Sequence, residues 1–273
     1  MKHKTIHGAV DEIHLTQTGI TQRIRTLEKR LSTSLFVRSR RGMVLTKEGE
    51  ALLRYCQQVE HLEGEALSSI AGTGTEKIVS ISITGPTTII HSRLTPSCIK
   101  VAKAFPQLLL KFDMNDNANC VNSLRRGDNQ LAIIEPSYLS NEMAHKPLKP
   151  ELYVLVASPT WKKRSLKDIL RNERIIDFDE SDQMTFNYLK HYDLFSFANK
   201  DRHFANRTTT LSLMIAKALG YGVLPLEFAK PYINSGQLVV INAGKAYPHA
   251  LTLAWFARHQ PPKYFSALIH ACE

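Results

Sequence analysis

Cysteine pairs, long apolar runs and catalytic motifs are what this sequence lacks, and each shortage removes a class of function. The four cysteines, Cys56, Cys98, Cys120 and Cys272, stand far apart and form no CxxC. Neither a zinc site nor a secreted disulfide framework fits, so reduced, buried thiols are expected. No apolar run is long enough to cross a bilayer, and the opening MKHKTIHG has no apolar core of a signal peptide. A cytoplasmic protein without a membrane partner is expected. HExxH, GxSxG and P-loop patterns are missing, and histidines such as His7, His14, His61 and His91 are scattered. No catalytic residue, metal or cofactor is expected, and there is no internal repeat or low-complexity tract.

What remains is a basic chain of 273 residues, with a formal charge of +10 and 43% hydrophobic residues. That size holds one large domain or two to three small ones. The charge admits an anionic partner, nucleic acid first, and equally admits a merely basic protein. Its one local concentration is Gln22 to Arg41, where Arg23, Arg25, Lys29, Arg30, Arg38, Arg40 and Arg41 face Glu28 alone.

The segment Ala9 to Leu31 reads as two short helices joined tightly. In the second, Ile20, Ile24, Leu27 and Leu31 recur at helical spacing and would face a core. Thr18, Gln22, Arg25 and Lys29 fall on the opposite side. Gln, Thr and Arg are residue types that read base edges, and Lys and Arg neutralise phosphates. This is the layout of a helix-turn-helix on double-stranded DNA. Gln17 and Thr21 flank the same surface. Leu35–Val37 and Met43–Leu45 then make a small hairpin, or wing, around the basic turn Arg38 to Gly42. Its arginines, Arg38, Arg40 and Arg41, suit a minor-groove or phosphate contact, and would also suit a solvated turn.

Thr46 is a plausible N-cap for a long helix carrying Leu52, Cys56, Val59, Leu62, Ala66 and Ile70 on one face. A second copy of the chain would bury that stripe, as would the domain's own surface. Gly72–Thr75 forms a hinge, and its GxG is no nucleotide fingerprint because no strand precedes it. Beyond it, strand-like runs (Val79–Ile83, Leu108–Phe112, Leu131–Ile134, Leu152–Ala157, Arg174–Phe178, Val223–Leu226, Leu238–Ile241, Leu251–Phe256) alternate with helical ones. An α/β fold with largely parallel sheets is expected.

At this point the chain resembles the LysR-type transcriptional regulators. The likeness rests on Leu15-Thr16-Gln17-Thr18-Gly19-Ile20-Thr21-Gln22-Arg23-Ile24, on Leu27-Glu28 and Leu31, and on Leu35-Phe36-Val37-Arg38 and Leu45-Thr46-Lys47-Glu48-Gly49-Glu50. Further on it rests on Leu124-Arg125-Arg126-Gly127-Asp128, Leu131-Ala132-Ile133, Ala216 to Pro225, and Ser235-Gly236-Gln237-Leu238. It implies a winged helix-turn-helix over 1–45, a linker and dimerisation helix with hinge over 46–75, and an effector domain over 76–273 like periplasmic binding proteins. We expect lobe I at 76–157 and 226–273, lobe II at 158–225, and crossings near Ser158 and Leu226. The resemblance also implies a small effector between the lobes, a homodimer or homotetramer on DNA, and contact with RNA polymerase. One departure stands out. Relatives carry a full extra helix before the position of Ala9, where only eight residues stand here. Either the start is misassigned or truncated, or the chain binds DNA poorly, and the rival reading is an effector-binding protein that has lost DNA binding.

Two threonine-rich segments suit an effector carboxylate. Thr84-Gly85-Pro86-Thr87-Thr88 lies between a strand and a helix, and Thr208-Thr209-Thr210 opens another helix. Free N–H groups and hydroxyls at helix starts bind anions, though such threonines also act as plain caps. The run Ile175 to Asp182 carries four carboxylates in a basic protein. With Met184, Asp193-Leu194 and Leu253-Ala254-Trp255, it is similar to the LysR regulators of arginine and lysine export. That implies a basic amino acid, lysine or arginine, with its cation near Asp179 or Asp182. A solvated acidic loop, or acids capping the helix at Met184, fits the same residues.

Overall fold

The N-terminal part is built around one amphipathic helix. In the computed structural model, which describes residues 10, 15–39, 42–57, 59, 78–258 and 261–272, that helix is α1, Gln17–Leu31. The Thr16 hydroxyl accepts a 3.1 Å bond from the Gly19 amide and caps its start. Ser32 ends it in the left-handed conformation, φ 51°, with its amide turned back to Glu28 and Lys29. Of the expected apolar stripe, Ile20 is buried and Ile24 half-buried, but Leu27 and Leu31 are 40% and 46% exposed. Strands β1 (Phe36–Ser39) and β2 (Gly42–Leu45) form the expected antiparallel hairpin, with Phe36 opposite Leu45.

Helix α2 begins at 47 and is continuous to 57. The Thr46 hydroxyl caps it by accepting from the Gly49 amide at 3.0 Å. A Cβ at Gly49 would stand 2.1 Å from the Leu35 carbonyl oxygen, so only glycine lets α2 lie this close to the hairpin. The residues before Ala9, the later stripe at Leu62, Ala66 and Ile70, and the hinge Gly72–Thr75 lie outside the described residues.

From Val79 two α/β lobes follow. In the first sheet the order is β4-β3-β5-β13-β6, where β3 is Val79–Gly85, β4 Leu108–Met114, β5 Leu131–Ile134, β6 Met143–Pro147 and β13 Thr252–Phe256. Side chains alternate along each strand. Ile81, Ile83, Leu131 and Ile133 face helix α3, which runs Thr87–Ile89, a π-wound turn Ile90–Leu94, then Thr95–Ala104, and they also face α9, Lys263–Ala271. Ala132 and Ile134 face α4, Asn117–Arg126, and meet Cys120, Val121 and Leu124. Each such fully buried aliphatic side chain contributes about 1.5–3 kcal/mol. Cys98, Cys120 and Cys272 are buried free thiols, whereas Cys56 is exposed.

The second sheet is centred on β7, Glu151–Ala157. On one edge lies β10 (Gly222–Pro225), and on the other lie β11 (Val239–Val240) and β12 (Ala246–His249). Strand β8 (Ile175–Asp177) runs parallel to β9 (Arg202–Phe204) and bridges to Tyr221. Helices α5 (Leu166–Asn172), α6 (Met184–His191), α7 (Thr208–Ala216) and α8 (Leu226–Asn234) complete this lobe.

Two expectations need correction. The crossings fall at 148–150 and 250–251, not near Ser158 and Leu226. Strand β7 takes every sheet partner from 222–249, so 151–249 is one lobe and 78–147 with 252–272 the other. Nor are the sheets largely parallel. β3, β4 and β5 are, but β6, β7, β12 and β13, which carry the chain between lobes, run antiparallel to their neighbours. A strand that leaves a lobe and one that returns to it beside the same crossing must point in opposite directions.

Candidate DNA-binding face and effector crevice

On α1, Gln17, Thr18, Gln22, Arg23, Arg25, Lys29 and Arg30 are exposed together. At 100° per residue Thr18, Gln22, Arg25 and Lys29 share one solvent face, with a hydroxyl, an amide and two cations, while Gln17 lies at one edge and Arg23 and Arg30 round the other side. Thr21 is half-buried, and its hydroxyl donates to the Gln17 carbonyl at 2.8 Å. Arg38 lies in β1 opposite Met43, beside this helix in sequence, while Arg40 and Arg41 fall outside the described residues. Glu28, the lone acid of the basic stretch, accepts from the amides of Leu35 at 2.8 Å and Phe36 at 3.3 Å. It ties α1 to the first strand of the wing. In sequence Glu28 stands out as an isolated acid among seven bases and as part of the Leu27-Glu28 match, but neither feature reveals this tie.

Helix α2 is joined to the first lobe by Arg54. Its guanidinium lies 3.9 Å from the Phe256 ring centroid and donates to the Arg125 carbonyl, with Glu142 at 4.0 Å. The side chain is 14% exposed, so this is a packed contact as well as a charged one.

The crevice follows from topology. Strand β5 ends at Ile134 opposite Thr252, next to one crossing, and β10 ends at Pro225 opposite Tyr153, next to the other. The carboxyl ends of the parallel strands in both lobes therefore adjoin the crossings, where α/β sheets bind ligands. Helices α3 and α7 open there. Neither has a side-chain cap: Pro86 precedes Thr87, and Arg207 precedes Thr208. The first amides to bond back are those of Ile90, to Pro86, and Leu211, to Arg207. The backbone N–H groups of Thr87 and Thr88, and of Thr208 and Thr209, thus stand at helix starts suited to an anion. Thr87 and Thr209 are exposed, and Thr88 and Thr208 half-buried.

Thr84 does not join them. It is fully buried under α4, its hydroxyl 3.4 Å from the Cys120 sulfur and accepting from Asn115 Nδ2 at 3.2 Å. The strand alternation that puts Ile83 against α3 turns Thr84 the other way, which corrects its assignment as an effector contact. Gly85 is also buried, and a Cβ there would come within 2.9 Å of the Ile133 side chain. Its role is close strand packing.

The acidic run closes on a cation of its own chain. Arg202 donates to the Asp177 carboxylate at 3.1 Å and to the carbonyls of Asp182 and Glu180 at 2.9 Å each. Asp179 accepts from the Ser181 hydroxyl and amide and from the Asp182 amide. The Ser181 hydroxyl above all holds its pKa below the usual range. Asp182 accepts from Phe178 N at 3.1 Å and, at the start of α6, from Met184 N at 2.8 Å. Burial pushes Asp177 up to about 6, opposed by the Thr185 hydroxyl that donates to it. The capping reading of these acids therefore describes contacts they do make.

Beside the crossings lies a second acidic group that the sequence reading missed. Glu151 opens β7 and is paired in register with His249 of β12. It is 2% exposed, and Tyr153 Oη donates to its Oε2 at 3.0 Å. Burial pushes it up to about 7, against the Tyr153 hydrogen bond and Arg93. Tyr153 is raised well above its ordinary value, first by burial and then by Glu151, with smaller contributions from Asp182 and Glu135. Glu135, just after β5, accepts from Asn117 Nδ2 at 2.7 Å and lies 3.7 Å from His249 Nε2. His249 is lowered by burial, opposed by Glu135. No motif announces these residues, because they converge only when the crossings form.

Arg93 sits in the π-wound turn and fastens the lobes. Its Nε meets both oxygens of Glu227, at 2.8 and 3.0 Å, and its terminal nitrogens donate to the Lys149 and Pro150 carbonyls at 2.6 and 3.1 Å. Ser92 adds a 2.7 Å bond to Glu227.

Comparison with known proteins agrees with this arrangement. Residues 78–273 match the LysR substrate binding domain, and residues 1–50 match the bacterial regulatory helix-turn-helix protein, lysR family. The HTH-type transcriptional regulator ArgP of Photorhabdus laumondii is 24% identical over 250 residues, 89% of this chain and 82% of that protein. The HTH-type transcriptional regulator AbaB of Streptomyces antibioticus is 30% identical over 161 residues, 58% of this chain and 52% of that protein. Among solved structures, ArgP from Mycobacterium tuberculosis has a TM-score of 0.80 at 20% identity, covering 98% of this chain and 92% of that one. Full-length LysG from Corynebacterium glutamicum with bound effector Arg has a TM-score of 0.77 at 16% identity, covering 98% and 91%. Because the helix-turn-helix match extends over the first 50 residues, the reading in which DNA binding has been lost is not favoured. The chain belongs to the LysR family and is a transcriptional regulator with an N-terminal DNA-binding helix-turn-helix and a two-lobed effector-binding domain.

Proposed function

We propose that this regulator responds to a basic amino acid, lysine or arginine, bound in the crevice between its lobes. The observation that carries this reading is the pair of carboxylates at the crossings, Glu151 bonded to Tyr153 and Glu135 3.7 Å from the His249 that lies opposite Glu151, and the uncapped helix start at Thr87 and Thr88 on the same side of the first sheet's strand ends supports it. An α-carboxylate suits the α3 amides, with Thr208 and Thr209 as the second helix start facing it. A side-chain cation suits the carboxylates. Asp179, bound into its own loop, is left with a positioning role. The likeness to LysG with bound Arg supports the same class of effector.

On DNA, Gln17, Thr18, Thr21, Gln22 and Arg25 read bases while Lys29, Arg38, Arg40 and Arg41 hold phosphates. The regulator acts as a homodimer or homotetramer and changes its contact with RNA polymerase when the effector binds. Arg54 gives the first lobe a direct hold on α2, and so a route from crevice to DNA. A thermal-shift comparison of lysine and arginine with neutral amino acids tests the effector. Stabilisation by the basic pair alone is expected, and equal melting temperatures with all of them overturn the proposal.

A further inference from the structure

One atom in the crevice is unaccounted for. Glu151 Oε1 is fully buried and has no hydrogen-bond partner among the described residues, although Oε2 of the same carboxyl is held by Tyr153. A buried carboxylate oxygen without a partner is costly, and native structures leave such atoms only where something else satisfies them. The charged and titratable groups around it are few. Tyr153 stands on the same strand, His249 on the paired strand with Glu135 3.7 Å from it, Arg93 and Glu227 across the crossing, and Asp182 acts on the tyrosine from further off. Arg93 is the cation among them, and the contacts of its three nitrogens go to Glu227 and to the Lys149 and Pro150 carbonyls, not to Glu151. Glu151 therefore sits at the joint between the lobes with one oxygen satisfied and the other waiting for a donor.

Resting on the basic-effector reading above, we infer that Glu151 is a proton-coupled counter-ion: it holds a proton when the crevice is empty and gives it up to solvent when the effector's cation arrives. The step balances. A neutral carboxyl and a free cationic effector become a carboxylate paired with the bound cation, and one proton passes to the buffer. Burial that raises Glu151 to about 7 places this exchange in the range where solution pH changes. The regulator then reads effector and acidity together, because acid opposes effector binding.

Isothermal titration calorimetry of the full chain with L-arginine, in buffers of different ionisation enthalpy, counts the protons. About one proton is released per effector near pH 6, and about a tenth near pH 8. Affinity rises about tenfold per pH unit across the lower part of that range. In E151Q the release disappears and the affinity becomes flat with pH. Should the variant fold poorly, the wild-type proton count and pH series decide alone. Binding without proton release, or with release unchanged in E151Q, overturns this inference and leaves the effector reading standing. The second result would assign the proton to His249. Absence of arginine and lysine binding at every pH overturns the effector reading and the inference with it.

Discussion

Replacing Arg93 by alanine tests the claim that the lobes are fastened at their crossings by one guanidinium. The residue makes four bonds, two to Glu227 and one each to the Lys149 and Pro150 carbonyls, with its side chain 16% exposed. The carbonyl bonds are charge-assisted and mostly buried, worth about 1.5 kcal/mol each. The Glu227 pair is different, because that carboxylate is 41% exposed and solvent screens it to under about 1 kcal/mol. Together these give about 2–4 kcal/mol for R93A. For a domain of this size that is a fall in Tm of roughly 5–15 °C. R93K keeps the charge but loses the fork that serves three acceptors, so its cost should be intermediate. E227Q should cost under about 1 kcal/mol. Urea unfolding of the three variants measures the order R93A, R93K, E227Q. The reasoning is refuted if R93A costs under about 1 kcal/mol, or if E227Q costs as much as R93A, since the carbonyl bonds would then contribute nothing.

Other predictions concern both ends of the chain. E28A strands the Leu35 and Phe36 amides and should destabilise the DNA-binding part by about 1–3 kcal/mol, whereas E28Q, which still accepts, should cost less. Calorimetry would separate the two, and equal losses would contradict the bond. K29A should lower the salt slope of duplex DNA binding by about 1, read by fluorescence anisotropy between low and moderate salt, whereas R25A should relax base preference at the position it reads. R54A should leave effector affinity unchanged while reducing the effect of effector on DNA binding, because it cuts the Phe256 and Arg125 contacts of α2. In pH-dependent unfolding, Glu151 and Asp177 are raised to about 7 and about 6, above their ordinary values of 4.5 and 3.8. Their contribution is fully present below those ordinary values and is lost as pH rises through 6 and 7. Stability of E151Q relative to wild type should therefore rise between pH 5 and 8, and a constant difference would contradict the burial of that carboxyl.

The helix that carries the candidate DNA-binding face was legible because it depends on one local segment. Its periodicity and residue types lie in sequence, and the caps at Thr16 and Thr46 are local chemistry. The α/β alternation was legible for the same reason. The lobe boundary was not. Strands β6 and β12, which read MAHKP and AYPH, are short, polar and proline-bearing, so neither announces itself as a strand, and the crossings they bracket went unseen. Thr84 misled because its neighbours carry the helix start, while period-two alternation inside β3 turned that one hydroxyl into the core. Asp179 and Asp182 drew notice as a visible run of charge, whereas Glu135 and Glu151, 16 residues apart in sequence, meet only through Tyr153 and His249 once both crossings are made.

The central claim is that the crevice recognises a cation. Calorimetric titration with L-arginine and with L-citrulline, of nearly the same shape but neutral, isolates that charge. Loss of one charge-assisted buried pairing, about 1.5–3 kcal/mol, predicts arginine binding roughly 10- to 150-fold tighter than citrulline at pH 8. Equal affinity for the two, or tighter binding of citrulline, would contradict it.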